Sequence, residues 1–299
     1  MLEQVTTAAV AFDARPGEVA ENLERISEWC HRAAKAGAQL VLFPELSLSG
    51  FMPNHPTGDH AAWMEQVLRA AWRGAEPMNG RAVAALAEIS RETGVHLAAG
   101  MLESAGNVLY NTHVLVGEGR VLGRWRKMHI PLFEMQVYNG GGPAEVVETA
   151  LGRIGVNICF DTFLPESTRL LGVQNAEIGL FPFAADPPPA TPAGWADWAR
   201  PVLQARCAEN GLFGVACNYF GHVAFAGVEQ HFPGGAMTVD PAGRVTQSIT
   251  AEEDGPHMLV STLRREELLE ARSRFEYTFR FRRPELYKRL AATTADNES

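Results

Sequence analysis

Apolar runs of strand length alternate with amphipathic helical stretches along nearly the whole chain, and that alternation restricts the possible folds more than any other feature. Val5–Phe12 reads as a buried strand, and Val19–Ala36 as a helix with Leu23, Ile26, Cys30 and Ala33 on one stripe. Gln39–Phe43 is a second strand, Arg81–Thr93 a helix and Val95–Leu102 a third strand. Two hairpins follow: Asn111–Val116 with Arg120–Lys127 about Gly117-Glu118-Gly119, and Val146–Thr149 joined through Leu151-Gly152 to a strand ending at Cys159. Helices at Pro165–Val173 and Trp195–Asn210 then alternate with strands at Ile178–Phe181 and Leu212–Tyr219. Two strands about Asp240-Pro241-Ala242-Gly243, a strand His257–Thr262 and a helix Arg264–Ala271 complete the body. Such a mixture implies an α/β fold with sheets covered by helices. No repeat or linker interrupts it, so residues 1–290 are expected to form a single domain. Residues 291–299, small and polar, are expected to be a disordered tail.

Composition excludes several functions. The 299 residues are 46% hydrophobic and 20% charged, enough for a sizeable core. A net charge of −9 argues against a nucleic-acid partner, and no basic run is interleaved with aromatics. The arginines from Arg264 to Arg289 are mixed with glutamates, as on a solvated face or a subunit contact. No apolar run reaches membrane-spanning length, and Met1-Leu2-Glu3-Gln4 lacks the pattern of a signal peptide. A cytoplasmic protein without a membrane partner is expected. None of the four cysteines has zinc-site spacing, and Cys30, Cys207 and Cys217 lie in helical or strand patterns that suggest packing roles.

Cys159 differs from those three. The run Ile154–Ile158 leads into Cys159-Phe160-Asp161, then into Pro165-Glu166, which starts a helix. A thiol at such a strand tip is rigidly held, and the N–H groups after it can face an oxyanion. Two other strand-end segments carry suitable partners. Glu45, in Phe43-Pro44-Glu45, is a candidate base, with a plain loop carboxylate as its bland alternative. Lys127, in Arg126-Lys127-Met128-His129, can hold an oxyanion and draw the thiol toward thiolate; otherwise it is a solvated lysine in a basic run. Glu134, in the loop beyond, is a candidate to hold the lysine or handle protons, or is an exposed loop acid.

Taken together, these segments resemble the nitrilase superfamily of carbon–nitrogen hydrolases. Leu40-Val41-Leu42-Phe43-Pro44-Glu45 with Ser49-Gly50-Phe51 is similar to its glutamate motif. Gly123-Arg124-Trp125-Arg126-Lys127-Met128-His129-Ile130-Pro131 is similar to its lysine motif. Gly155-Val156-Asn157-Ile158-Cys159-Phe160-Asp161 with Leu164-Pro165-Glu166 is similar to its cysteine motif. Tyr110-Asn111, Ala205–Asn210, Asn218, Asp240–Gly243 and Arg283–Tyr287 add matches in the family's order. The resemblance implies a four-layer α-β-β-α sandwich that pairs through helices as a homodimer or larger homo-oligomer. It implies that Cys159 attacks an amide, carbamoyl or nitrile carbon with Glu45 as base, while Lys127 and the Phe160 N–H hold the oxyanion. Glu134, with Tyr138 and Gly140 after it, fits the family's second glutamate. No metal or organic cofactor is implied.

Within the resemblance, nitrile-cleaving members follow the cysteine with Trp-Glu, whereas this chain has Phe160-Asp161, favouring an amide or carbamoyl substrate. Where carboxylate-binding members place arginines, this chain has Thr162 and Phe163, so the far end of the substrate is expected to be neutral, apolar or cationic. Phe51, Phe183, Trp195 and Phe220, with Phe160, are candidates to line its pocket, although ordinary core packing is the commoner explanation for such aromatics. A nitrilase, an acyltransferase and a non-catalytic binding protein are the alternatives on the same fold.

Overall fold

The computed structural model describes residues 1–53, 59–251 and 255–291. The first half of the chain supplies β1 (Gln4–Ala11), α1 (Val19–Lys35), β2 (Leu40–Leu42), α2 (His60–Gly74) and α3 (Arg81–Thr93). It continues with β3 (His96–Ala105), β4 (Val108–Gly117) and β5 (Arg120–Arg126). The second half supplies β6 (Val147–Thr149), β7 (Gly152–Val156), α4 (Pro165–Val173), β8 (Ile178–Phe183), α5 (Pro192–Asn210) and β9 (Phe213–Asn218). A hairpin of β10 (Phe220–Phe225) and β11 (Val228–Pro233) precedes β12 (Ala236–Val239), β13 (Val245–Ile249), β14 (His257–Arg264) and α6 (Arg265–Ser273).

The strands form two six-stranded sheets, in the orders β14-β1-β2-β3-β4-β5 and β13-β12-β9-β8-β7-β6. In the first, β1, β2 and β3 run parallel, flanked by antiparallel β14 on one side and by β4 and β5 on the other. In the second, β7, β8 and β9 run parallel, flanked by antiparallel β6 on one side and by β12 and β13 on the other. The two sheets thus repeat one pairing pattern, although the sequence carries no detectable repeat. Pairing pattern depends on backbone hydrogen bonds, which many side-chain sets satisfy.

Side-chain alternation sorts the layers. Val5 and Ala9 of β1, Leu40 and Leu42 of β2, and Leu115 of β4 join one core with the second sheet and α5. Ala8, Val10, Val41, Val114 and Val116, one residue off, join another core with α1 and α3. The result is the expected α-β-β-α sandwich. Two elements were not anticipated. α2 is rich in alanine and buries only Trp63, Val67 and Ala71, a stripe too thin to stand out. The β10–β11 hairpin contains Gly221, His222 and Ala224, which blur a period of two. The expected tail begins at Ala291, the last described residue; 292–299 lie outside the described residues. Among the described residues, no helix is long and apolar enough to cross a membrane.

Candidate active site

Glu45 leaves β2 through Phe43-Pro44 and ends fully buried between the sheets. The next residue, Leu46, has φ +52°, a left-handed conformation that is costly for a leucine and is held here by its surroundings. Gly100 of β3 makes room for this turn. A Cβ on Gly100 would lie 2.2 Å from the Leu46 nitrogen and 3.0 Å from the Glu45 carbonyl carbon. Leu48 N–H donates to the Gly100 carbonyl at 2.7 Å, and Gly100 N–H donates to Ser47 Oγ at 3.0 Å, so neither side can yield freely. Gly100→Ala is therefore expected to cost about 1–3 kcal/mol of stability. It should also push Glu45 off its position, lowering kcat by roughly 10–100-fold. Thermal unfolding and steady-state kinetics on the variant check both, and a wild-type rate would refute the displacement.

Lys127 follows β5 directly. Period two places it on the face of Trp125, toward the second sheet, while Arg124 and Arg126 turn the other way and pair with buried Glu103. Lys127 is fully buried, and its Nζ donates to Glu45 Oε1 and to Glu134 Oε2, each at 2.7 Å. Burial pulls the ammonium pKa down, but the charges of Glu134 and Glu45 overcome it and hold the group well above its usual value. Glu134 is pushed up to about 7, mainly by burial, with Lys127 opposing and Glu45 assisting. Asn111 of β4 donates Nδ2 to Glu45 Oε1 at 2.7 Å, and the Ala184 N–H donates to Glu45 Oε2 at 3.0 Å. Glu45 thus accepts three hydrogen bonds on its two oxygens.

Cys159 opens a 3-10 turn, Cys159–Phe163, beyond β7. Its φ of +46° is the left-handed backbone that turns a strand end sharply and leaves the side chain at the apex. The sulfur is buried close enough to Glu45, Lys127 and Glu134 for all three charges to act on it. Burial dominates and Glu45 adds to it, so the thiol pKa lies well above 9.0 despite the pull of Lys127. Burial and the neighbouring carboxylate thus both disfavour the thiolate. Asp161, two residues on, ties this turn to the first sheet. Its Oδ1 accepts from the His129 N–H and Nδ1, both at 2.9 Å, and its Oδ2 accepts from Ile158 N–H at 3.3 Å and Met128 N–H at 3.2 Å. Arg206 of α5 closes the far end of the turn, donating from Nε to Thr162 O at 2.9 Å and from Nη2 to Phe163 O at 3.1 Å.

Glu45, Lys127, Glu134 and Cys159 therefore meet at one buried point between the sheets. The expected pocket-lining aromatics are placed differently from one another. Phe160 stands beside the sulfur with 40% of its surface exposed. Phe51 is buried against Tyr219 and Phe232, and it borders a small cavity together with Trp63, Val67 and Glu134. Phe183 and Trp195 are fully buried and pack edge-on against each other in the core between and behind the sheets. Asn111, Asp161 and Arg206 contact the site yet were read in the sequence only as family-pattern matches. Their signal was available in part: a carboxamide, a carboxylate and a guanidinium at otherwise apolar strand or helix positions need partners. Among the described residues, no group of three or more His, Cys, Asp or Glu side chains could hold a metal ion.

Comparison with known proteins places the chain in a family. The family model described as carbon-nitrogen hydrolase matches residues 6–273. A nitrilase of Pyrococcus abyssi is 34% identical over 175 residues, which span 58% of this chain and 63% of that protein. An N-carbamoylputrescine amidase of Solanum lycopersicum is 27% identical over 98% of this chain and 97% of its own length. Among solved structures, a mutant of the amidase from Nesterenkonia sp. AN1, showing Michael addition of acrylamide at the active site cysteine, superposes with a TM-score of 0.73. It is 25% identical, covering 96% of this chain and 99% of that one.

Proposed function

The chain belongs to the carbon–nitrogen hydrolase family, and we propose from that premise that it is a cysteine-dependent hydrolase of a small linear amide or N-carbamoyl compound. The observation that carries this reading is the buried Lys127 ammonium, bonded at 2.7 Å to both Glu45 and Glu134 beside the Cys159 thiol. Sγ attacks the carbonyl carbon while Glu45 takes the thiol proton. The oxyanion that forms is held by Lys127 Nζ and the Phe160 N–H. Glu45 returns its proton to the leaving nitrogen, the C–N bond breaks, and ammonia or an amine departs, leaving a thioester on Cys159. Water then attacks the thioester with Glu45 again accepting a proton, and collapse breaks the C–S bond, the departing sulfur taking that proton back from Glu45 and the acid leaving as product. Glu134 keeps Lys127 in place and charged.

The far end of the substrate meets an apolar wall. Phe163 packs 4.5 Å from Trp198 and 6.4 Å from Phe183, ring to ring, where an arginine clamp would otherwise grip a carboxylate. Arg206, the arginine that bonds this turn, is occupied by the Thr162 and Phe163 carbonyls. These contacts support a neutral, apolar or cationic distal group over a carboxylate.

Ammonia release across a panel of aliphatic amides, ureido compounds and nitriles tests the reading. Turnover of amides or ureido compounds is expected, with little on nitriles. Acid formation from nitriles alone would replace this reading with a nitrilase, and transfer of the acyl group to added amines in preference to water would replace it with an acyltransferase.

The same reading extends to organisation: one hydrolase domain over residues 1–290, cytoplasmic, assembling as a homodimer or larger homo-oligomer. Phe275, Phe281, Leu286 and Leu290, all strongly exposed on the segment after α6, support assembly because water is a poor neighbour for so much apolar surface.

A further inference from the structure

Asn218 ends β9 beside Phe183, the last residue of β8. It is fully buried, and asparagine is a poor strand former whose carboxamide is costly to bury unless every polar atom is partnered. Here each is. Oδ1 accepts from the Ala185 N–H at 2.9 Å, and Nδ2 donates to the Ala185 carbonyl at 2.8 Å and to the Gly234 carbonyl at 3.1 Å. Two of these bonds close on one residue, Ala185, and so fix the plane of its backbone as well as its distance.

That backbone needs fixing. The ladder between β8 and β9 runs out with the Tyr219 N–H donating to the Phe183 carbonyl at 3.0 Å. Beyond that point Ala184 and Ala185 have left the sheet. Yet Ala184 N–H donates to Glu45 Oε2, the oxygen that Lys127 and Asn111 leave free, since both of those bond Oε1. At the neighbouring Cys159 thiol, whose pKa burial and Glu45 raise, the Ala184 N–H acts in the opposite direction.

We propose that Asn218 is a positioning residue for the reaction: its carboxamide holds the Ala184–Ala185 backbone so that the Ala184 N–H fixes the Glu45 carboxylate for its work on the Cys159 thiol. The inference rests on the cysteine mechanism proposed above. Physically, no other side chain substitutes. Aspartate would present oxygens to two carbonyls, alanine would strand three buried backbone groups, and glutamine is a methylene too long for the same ring.

The test compares wild type, Asn218→Asp and a protein in which lactic acid replaces Ala184, exchanging that N–H for an ester oxygen while Asn218 stays intact. Readouts are kcat, KM, the rate of iodoacetamide alkylation at Cys159 located by peptide mass mapping, and thermal unfolding. Both altered proteins are expected to lose about 100-fold in kcat, as for a lost active-site donor. KM should stay within about threefold, because an interaction used mainly in the transition state lowers kcat without weakening substrate binding. Alkylation of Cys159 should slow in both, because the thiol holds its proton more tightly. Should Asn218→Asp fail to fold, the ester protein decides. A wild-type kcat in the ester protein, or in folded Asn218→Asp, overturns the proposal. Cys159→Ala is the control: turnover that survived it would remove the cysteine mechanism itself, whereas its loss alongside a wild-type rate in the ester protein would remove only the role of Asn218.

Discussion

Cys159→Ala is expected to release no measurable ammonia from any amide that the wild-type protein cleaves, a loss on the order of 10⁶-fold, as when a covalent nucleophile is deleted. The size of the loss follows from the site. Glu45 and Lys127 would remain, but water admitted to the space of a single sulfur atom would have to be both positioned and deprotonated in one step, and no thioester would divide the barrier. The fold should persist. Alanine tolerates the left-handed φ of +46° at residue 159 no worse than cysteine does. The thiol it removes sits beside two carboxylates that already disfavour its ionisation. Deleting one buried atom should cost about 1 kcal/mol. A circular dichroism melt together with an ammonia assay measures both parts. Full activity in a folded alanine variant would end the cysteine mechanism.

Lys127→Met should be the most damaging single change to stability, and it should slow the reaction as well. Methionine nearly matches lysine in length, so the effect isolates the charge. Lys127 is the cation bonded to both buried acids, Glu45 and Glu134. Removing one partner from a buried ion pair costs about 3–5 kcal/mol, because the charge left behind has no compensation. Loss of the oxyanion donor should lower kcat by a further 10²–10³-fold, roughly the cost of deleting one such donor. The destabilisation should depend on pH, with a sign that can be worked out. Glu134 is raised in the folded protein from its ordinary 4.5 to about 7, so its contribution is fully favourable below 4.5 and is lost as pH rises through 7. Without the opposing pull of Lys127 that upper limit moves higher still. Between pH 4.5 and about 7 Glu134 costs both proteins alike, so the stability gap between variant and wild type should stay level there and widen as pH rises past 7. Denaturant melts at several pH values check this, and a gap that grows on acidification would contradict the charge assignment.

Much of the fold was legible in the chain because its strands carry local signals. β1, β7 and β8 are short, apolar and bounded by turns, and α1 shows a clear stripe. α2 and the β10–β11 hairpin were not legible, since their side chains mix small, polar and aromatic residues without a clean period. In the site, Glu45, Lys127 and Cys159 stood out because each ends a strand, where an apolar pattern stops at a reactive group. Asn111 and Asn218 did not, because an amide inside a strand looks the same in sequence whether it faces solvent or a carboxylate.

What the sequence determined alone is whatever depends on near neighbours: the elements, the alternation of faces along each strand, and the ordered motifs that single out a glutamate, a lysine and a cysteine. In the stretch Arg124-Trp125-Arg126-Lys127, for instance, that alternation already separates two arginines from a tryptophan and a lysine. Only the tertiary structure decided which face meets the second sheet. It thereby decided that Lys127, rather than either arginine, lies 2.7 Å from two acids that are 82 and 7 residues away along the chain. The reason is physical. Ionisable groups this deeply buried are tolerable only as a mutually compensating set, and that compensation comes from strand order and sheet packing, which no local stretch encodes.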